Sequence, residues 1–328
     1  MTSSQPPASQ TAKKSPGSDL HGLLLVDKPV DWSSHDVVSK VRRLLGISAV
    51  GHCGTLDPFA SGLLVLLLGQ GTKISDYILT QDKSYIVDVL LGKTTDTLDR
   101  TGEALSESAV SLSREEVETA VLDLQGEMQI PVPSFSAVKV KGRKLYSYAR
   151  SDQPVEKPIK VMNFYNLQLL EFDGDKRLKV RMCCSKGSYI RSWASLLGDK
   201  LGVGALAEEL RRTESQPFRV HDAIGIGSLE RWAHSEKSDV EELGKSYIPL
   251  SQSLPFMRRL TASLRDEKLF SNGQISRDLG GRLVGDIRES QKSGESQVVQ
   301  ICGANGSLVG LVEIQPERGA RIRRVFKV

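Results

Sequence analysis

The sequence predicts an α+β protein with one large domain and a small, β-rich C-terminal domain. Its 328 residues are too many for a single small module. Strand patterns and amphipathic helical patterns alternate before about residue 248, and short β-like segments dominate after it. A hydrophobic content of 39% and a charged content of 26% are typical of a globular chain and exclude a disordered or fibrous class.

The first predicted elements are a strand and a helix. Apolar residues 23–26 predict the strand, which ends in an Asp-Lys-Pro turn. Ser33 or Ser34 can cap the helix, and valines and leucines between 37 and 45 form its apolar stripe. Gly46 can end it.

Buried and amphipathic patterns alternate further along the chain. Residues 63–68 form an apolar run that predicts a fully buried strand or a short buried helix, and residues 85–91 alternate like a strand. A capping box at Ser113 predicts a helix that runs up to Gly126. The apolar spacing over residues 190–201 predicts another helix.

Composition divides the chain into a tail and two domains. Residues 1–20 lack the apolar core of a signal peptide and the arginines of a mitochondrial leader, so we expect a disordered tail on a cytoplasmic protein. We expect the large domain over residues 21–247, with a proline-rich, irregular insertion at about 127–160. Residues 248–328 form the predicted all-β domain, in which an Asn-Gly turn between two apolar runs marks a hairpin.

Charge is nearly balanced overall but clustered locally. Forty-four Lys and Arg residues against 40 Asp and Glu residues give a net charge of +4. Basic residues nevertheless cluster in the insertion, in a second basic stretch over residues 176–191, and at the C-terminal end. One such cluster is usually a solvated face, whereas three favour a polyanionic partner.

Several functional classes are excluded. No apolar run approaches the roughly 20 residues of a membrane-spanning helix. The glycine-rich segment 69–73 lacks the Walker A spacing of an ATP site, and neither H-E-x-x-H nor G-x-S-x-G occurs. Four cysteines without C-x-x-C spacing indicate neither a disulfide framework nor a zinc site. The loop with Asp96 and Asp99 lacks the full calcium pattern and predicts a turn.

Local pattern alone leaves the role of Asp57 open. An Asp before a Pro, between a glycine-rich turn and a buried element, is held rigidly, and such a residue most often forms an Asx-turn or a helix cap. An isolated histidine such as His52 is likewise more often packed and hydrogen-bonded than catalytic.

Residues 51–62, with the sequence GHCGTLDPFASG, resemble the signature of the TruB family of tRNA pseudouridine-55 synthases. The resemblance extends in order and at family-like spacing over residues 21 to 250. Further segments similar to the family's motifs are 27–29 with 32–36, 82–85, 136–139 with Gly142, Tyr146, Ala149 and Arg150, 184–191 and 210–213. Asp31, Phe135 and Gln216 depart from the family, which usually has Gly, Tyr and Gly there.

The resemblance implies a fold and a reaction. The fold is a mixed, mostly antiparallel sheet split by a central cleft, and the C-terminal domain resembles a PUA-like RNA-binding module. The reaction turns uridine-55 of the tRNA T-loop into pseudouridine: the N1–C1′ bond breaks, the base rotates, and C5 bonds to C1′. It requires a flipped-out base and a carboxylate near the sugar, but no cofactor and no metal.

The resemblance also assigns site residues. Asp57 is the catalytic carboxylate, which attacks the ribose or base or removes a sugar proton. Arg191 would hold Asp57 ionised and oriented. Tyr85 would stack on the flipped uracil, and Tyr189 and Leu210 would line the pocket.

The remaining predicted contacts concern the RNA. Lys28 and His52 match family positions near the substrate, where we expect RNA contact or loop support. The basic insertion would grip the T-arm of the tRNA. Its RNA-binding residues are Lys139, Lys141, Arg143, Lys144 and Arg150. We expect a monomer without an obligate protein partner or a membrane.

Two other functions stay open. One is a guide-dependent synthase that modifies ribosomal RNA within a multiprotein particle, against which Tyr146, Ala149 and Arg150 argue. The other is an RNA chaperone that binds and refolds tRNA. The intact set of Asp57, Tyr85 and Arg191 argues that catalysis is retained even if the chain also has the second role.

Overall fold

The computed structural model describes residues 19–151, 153–235 and 239–327. The tail predicted for residues 1–20 lies outside the described residues up to residue 18. Leu20 is already buried, so it belongs to the folded part. No helix within the described ranges is both long enough and apolar enough to cross a membrane.

Strands dominate the described part of the chain. In chain order they are β1 (Gly22–Lys28), β2 (Val50–His52), β3 (Ala60–Leu68), β4 (Lys83–Leu91), β5 (Lys93–Thr95), β6 (Ala104–Glu107), β7 (Gly126–Pro131), β8 (Lys139–Val140), β9 (Arg143–Lys144), β10 (Ile159–Phe172), β11 (Arg177–Cys184), β12 (Ala205–Ser215), β13 (Phe218–Arg219), β14 (Ile224–Gly225), β15 (Tyr247–Pro249), β16 (Arg259–Thr261), β17 (Gln297–Cys302), β18 (Leu308–Gln315) and β19 (Gly319–Val325).

Helices cover the sheets and close the loops. They are α1 (Ser34–Leu45), α2 (Ser75–Leu79), α3 (Arg114–Asp123), α4 (Leu145–Ala149), α5 (Ile190–Lys200), α6 (Ile226–His234), α7 (Leu264–Ser271), α8 (Arg277–Arg282) and α9 (Val284–Ser293). Short 3₁₀ helices connect some of these elements, including one over Gly69–Ile74.

The large domain is built on a mixed, mostly antiparallel sheet, as predicted. Over the described residues it has eleven strands, and its main path runs β14-β1-β3-β12-β4-β11-β10-β7. Only the β1–β14 and β3–β12 pairs are parallel. Strands β3 and β12 pair over just three residues each, Ala60–Gly62 and Leu210–Arg212, so the two halves of the sheet meet at a short junction.

Local signals placed most of these elements correctly. Helix α1 begins with Ser33 as its N-cap and ends at Gly46 in the left-handed conformation. Helix α3 has the predicted capping box at Ser113, although it ends at Asp123 rather than near Gly126. The apolar run 63–68 is a strand, because pairing with β1 and β2 satisfies its backbone within the sheet.

Two hydrophobic clusters cover the two halves of the sheet. One packs helices α3 and α5 against β4, β10 and β11, with Trp193 and Phe164 at its centre. The other packs α1 and α6 against β1 and β3. The junction of β3 and β12 lies between these two hydrophobic clusters. The sheet holds the backbone of the junction in place.

The C-terminal part is β-rich but not all-β, which corrects the sequence-based expectation. Strands β16–β19 form a four-stranded sheet that includes the predicted hairpin, but helices α7, α8 and α9 lie between β16 and β17. Ser263 begins α7 with a capping box, and Ser276 caps α8. These helices are short and polar, so their apolar spacing is too sparse to stand out in the sequence.

The C-terminal sheet packs directly onto the large one. A single hydrophobic cluster contains Leu23 and Leu63 from the large sheet and Leu308, Leu311 and Phe326 from the small one. The boundary at residue 248 therefore stays a prediction, because the apolar contacts cross it without a break.

Candidate active site

Asp57 lies in the loop that joins β2 to β3, and the start of helix α1 clamps that loop. Ser34 Oγ donates to Leu56 O over 3.0 Å and accepts from Leu56 N over 2.9 Å, and both bonds are buried. The backbone N–H of Asp31 donates to Pro58 O over 2.8 Å. Asp31 has a φ of 66°, in the left-handed region, which is where glycine is favoured.

Lys28 supports the same loop through hydrogen bonds to backbone carbonyl groups. Its side chain has no exposed surface, and its ammonium donates to Pro29 O at 2.9 Å, Trp32 O at 2.6 Å and Pro58 O at 3.4 Å. Burial lowers the pKa of Lys28 to about 8, although Asp57 opposes that shift. Of the two predicted roles, this geometry favours loop support over RNA contact.

Arg191, at the start of α5, connects four parts of the site. Its Nε donates to Asp57 Oδ2 over 2.8 Å, and its Nη1 lies 3.5 Å from Asp99 Oδ2. Nη1 also donates to Thr97 O at 2.7 Å, and Nη2 donates to Phe135 O at 2.9 Å. Only 4% of the Arg191 side chain is exposed, so its orientation is fixed before any substrate arrives. Phe135 contributes its carbonyl group to this network.

Asp99 is a second carboxylate of the site that the sequence did not reveal. Its Oδ1 accepts from Thr97 Oγ1, Thr101 N and Thr101 Oγ1 at 2.5–2.9 Å, so Oδ2 is left facing Arg191. The predicted Asx-rich turn is present, but it serves to aim this buried carboxylate. In the described part of the chain, no group of three or more His, Cys, Asp or Glu residues could hold a metal.

Asp57 is crowded yet reachable, with 36% of its side chain exposed. Burial raises the pKa of Asp57 above its ordinary value; Arg191 opposes this shift, and the charge of Asp99 adds to it. The direction is expected, because one guanidinium serves two carboxylates and cannot fully neutralise both.

Tyr85 on β4 lies opposite Arg212 on the neighbouring strand β12. The two residues are register partners, and the charge of the guanidinium opposes the rise in the pKa of Tyr85 that burial causes. Arg212 Nε donates to Leu63 O at 2.7 Å, and Nη2 donates to Gly54 O at 3.1 Å. Arg212 is absent from the sequence-predicted site, although strand alternation places it on the same face as Leu210.

A cavity of about 300 Å³ lies between these groups. It brings together Asp57, Tyr85, Tyr189, Arg191 and Leu210 of the predicted site residues. The other lining residues are Gly54, Thr55, Leu56, Leu79, Lys83, Ser136, Ala137, Cys184, Ser185, Gly187, Ser188, Ile190 and Arg212. The cavity is of the size that small-molecule or nucleoside sites have in proteins.

Not every predicted residue reaches the cavity. Lys28 and His52 are not among its lining residues. His52 lies on β2, where burial and the charge of Arg212 lower its pKa, and its Nδ1 is buried with no hydrogen-bond partner among the residues that the structure describes. Tyr189 is half-buried at the N-cap of α5, and Leu210 is buried on β12.

The basic insertion forms an exposed hairpin and a short helix rather than an irregular loop. Strands β8 and β9 pair around a tight turn, and α4 follows. Arg143 lies over the ring of Tyr148, and Lys144 and Arg150 approach the ring of Tyr146. The predicted RNA-binding residues are all exposed: Lys139, Lys141, Arg143, Lys144 and Arg150.

The second basic stretch contains cations that are already paired with carboxylates, so it is not a wholly free cationic surface. Arg177 pairs with Glu208 at 2.8 Å, and Lys179 lies within 3.5 Å of Asp88. Arg191 is buried in the site. Arg177 and Lys179 project from the same face of β11, and carboxylates from other strands partly neutralise them there.

The chain is similar to known proteins over nearly its whole length. A family model described as TruB family pseudouridylate synthase, N-terminal domain, matches residues 42–190. A protein named tRNA pseudouridine synthase B from Bdellovibrio bacteriovorus is 44% identical over 94% of this chain and 98% of its own length. A protein of the same name from Ralstonia nicotianae is 38% identical over 97% of this chain and 99% of its own.

Solved structures share the fold at lower sequence identity. The structure titled as a Cbf5-Nop10-Gar1 complex matches with a TM-score of 0.70 and 22% identity, over 94% of this chain and 85% of the other. An archaeal Nop10-Cbf5 complex matches with a TM-score of 0.67 and 21% identity, over 97% and 93%. The pseudouridine synthase fold is thus shown, and the near full-length relatives at 38–44% identity establish that the chain belongs to the TruB family of pseudouridylate synthases.

Proposed function

We propose that this protein isomerises uridine-55 to pseudouridine in the T-loop of tRNA, and that it does so on a flipped-out nucleotide with Asp57 as the essential carboxylate. The strongest support is the convergence of Asp57, Arg191 and Tyr85 in one cavity. Relatives that carry the name tRNA pseudouridine synthase B along almost the whole chain favour tRNA as the substrate.

Each residue of the cavity would have its own role in the reaction. The open face of the Asp57 carboxylate would meet the ribose, while Arg191 fixes its other side. The ring of Tyr85 would stack on the uracil, an interaction that typically contributes about 1–3 kcal/mol and offsets the few kcal/mol of base flipping. Leu210 and Tyr189 would keep the detached base in place while it turns.

RNA outside the cavity would be held by charge and shape. The exposed basic hairpin of the insertion, with Lys139, Lys141 and Lys144, would follow the phosphates of the T-arm. The C-terminal domain would add a PUA-like RNA contact. The reaction as proposed is a cofactor-free isomerisation by a monomer without an obligate protein partner, in the cytoplasm.

The test uses purified protein and an unmodified T-arm hairpin, without guide RNA or other proteins. We expect pseudouridine at the position equivalent to 55 and nowhere else, detected by uridine-specific chemical labelling and mass spectrometry. Light scattering of the same sample gives the oligomeric state. If the hairpin stays unmodified while a guide RNA restores activity, the guide-dependent function replaces the proposal.

A further inference from the structure

Two buried cations of the cavity wall have no carboxylate partner. Arg212 has 1% of its surface exposed and Lys83 has 7%, and both line the cavity. Within the described ranges, neither forms an ion pair, whereas the third buried cation, Arg191, faces both Asp57 and Asp99. An uncompensated buried charge is costly, so its presence beside a cavity points to an anionic ligand.

Among the described residues, both side chains have N–H groups that no hydrogen bond occupies. A guanidinium has five N–H groups, and Arg212 uses two of them, on Leu63 O and Gly54 O. The Lys83 ammonium donates to Leu79 O and to Gln81 O, which leaves one of its three N–H groups. The neutral carbonyl groups orient these cations but do not neutralise them.

The cations act on their surroundings as unneutralised charge. Arg212 helps to lower the pKa of Lys83, of His52 and of Lys28, in each case together with burial, which is the larger cause. The wall of the cavity near Tyr85 therefore has a positive potential. On the other side of the cavity, Arg191 is occupied by its two carboxylates.

The reaction creates an anion at this end of the cavity. When the N1–C1′ bond breaks, its electron pair leaves with the base, and Asp57 either bonds to C1′ or removes a ribose proton. The detached uracil then carries a negative charge spread over N1 and its carbonyl oxygens. When C5 bonds to C1′, the base returns the pair, and Asp57 either leaves C1′ with the electron pair of its own bond or gives the ribose proton back. C5 then loses its proton and N1 gains one.

We infer that Arg212 and Lys83 stabilise the detached uracil anion, and that this stabilisation makes cleavage of the N1–C1′ bond feasible in the cavity. The inference rests on the proposed function and extends it. Arg212 is the main contributor, because it is the more deeply buried cation and is the register partner of Tyr85, the residue expected to stack on the base. Fixed donors that face a charge formed during the reaction are among the largest contributions to catalysis.

The test compares two T-arm hairpins, one with uridine and one with 5-fluorouridine at the target position. Fluorine makes the base anion intrinsically more stable, so cleavage depends less on help from the protein. Single-turnover loss of the original nucleoside is measured by nuclease digestion and chromatography, because the fluorinated base has no C5 proton to lose. The rate ratio between the two hairpins is the readout.

For Arg212→Gln we expect the uridine rate to fall by about 10²–10³-fold and the 5-fluorouridine rate to fall at least about tenfold less. Partial unfolding of a variant would lower the rates on the uridine and 5-fluorouridine hairpins by the same factor, so it would leave their ratio unchanged. Lys83→Met removes the second cation without touching the loop of Asp57 and should shift the ratio in the same direction. Arg211→Gln is the matched control, since Arg211 is the next residue in the strand but pairs with Asp27 outside the cavity.

An unchanged ratio in both Arg212→Gln and Lys83→Met would overturn the inference. The same holds if these variants only weaken hairpin binding and flatten its salt dependence, because the cations would then bind a phosphate of the RNA. The wild-type rate on the uridine hairpin tests the proposed function separately from the ratio.

Discussion

At the scale of single residues, the site depends on how one guanidinium is shared. Arg191 contacts Asp57 through Nε and faces Asp99 through Nη1. Asp99 is closed off by three hydrogen-bond donors, so Asp57 is the carboxylate that remains reachable. Two groups of the same chemical type thereby differ in position: Asp57 is open to the cavity, and Asp99 is enclosed behind the arginine.

The first prediction concerns Asp57→Asn. The amide keeps the shape of the side chain and one oxygen that can accept from Arg191 Nε, so we expect an unchanged melting temperature and hairpin affinity. Product formation should fall by about 10²–10⁴-fold or more, since the carboxylate is lost as nucleophile or base. Single-turnover assays and binding titrations on the same protein check this, and full activity in the variant would refute the role of Asp57.

The second prediction concerns Asp99→Asn and pH. Activity requires ionised Asp57, whose pKa is raised, so the rate should fall with decreasing pH at values above the ordinary range of an Asp. Removing the charge of Asp99 lowers the pKa of Asp57, so the acidic limb should move to lower pH. The plateau rate should drop about ten- to a hundredfold, because Arg191 loses the buried ion pair with Asp99 that helps to orient it. An acidic limb that stays in place would contradict this coupling.

Sequence motifs assigned roles to Asp57, Tyr85 and Arg191, but none to Asp99 or to Arg212, although Arg212 lies in the motif segment 210–213. The three are far apart in the chain and meet only because β3, β12 and β4 are neighbours in the sheet, which no local pattern encodes. Asp99 lies in a turn whose hydrogen bonds are local, so nothing in its neighbourhood indicates that one oxygen faces a distant arginine.

At the scale of elements, helix α1 both caps itself and positions the catalytic loop. Ser33 accepts from Asp36 N as the N-cap, while its neighbour Ser34 bonds to both backbone groups of Leu56. Adjacent serines thus have separable roles, one within the helix and one in the loop that precedes β3.

The third prediction compares these two serines. Ser33→Ala should lower the free energy of unfolding by about 1 kcal/mol, the usual effect of losing a cap, with little change in catalytic rate. Ser34→Ala leaves a buried N–H and a buried carbonyl group of Leu56 unsatisfied, at about 1–3 kcal/mol, and should also lower the single-turnover rate. Denaturant unfolding and hairpin assays check both variants. Equal catalytic rates in the two would contradict the clamp.

Elements with strong local signals were predictable, and weakly amphipathic ones were not. The caps at Ser33 and Ser113 determine the starts of their helices almost alone, whereas the apolar run of β3 left a strand and a short buried helix open until its pairing was known. Helices α7–α9 bury few of their own residues, so tertiary packing rather than apolar spacing determines them. The short hairpin β8–β9 was likewise hidden by its basic, proline-flanked composition.

At the scale of the whole molecule, the basic side chains of the surface fall into two groups, those that pair with a carboxylate and those for which the described residues offer no ion pair. Arg177 and Lys179 pair with cross-strand carboxylates, and Lys200 pairs with Asp123 at 3.0 Å. The hairpin lysines of the insertion are exposed, and no ion pair is found for them among the described residues. Sequence clustering alone could not distinguish these two kinds of surface, because pairing depends on strand register.

The fourth prediction uses this difference. Replacing Lys139, Lys141 and Lys144 together with Ala should weaken T-arm binding and reduce the slope of log affinity against log salt by about 3, roughly one for each RNA phosphate that a lysine no longer neutralises. The control replaces Arg177, Lys179 and Lys200 with Ala. It removes the same charge, but each of these cations already has a carboxylate, so its slope should stay near that of the wild type. Equal slopes for the two triple variants, measured by titration at several salt concentrations, would mean that net charge rather than the hairpin surface binds the RNA.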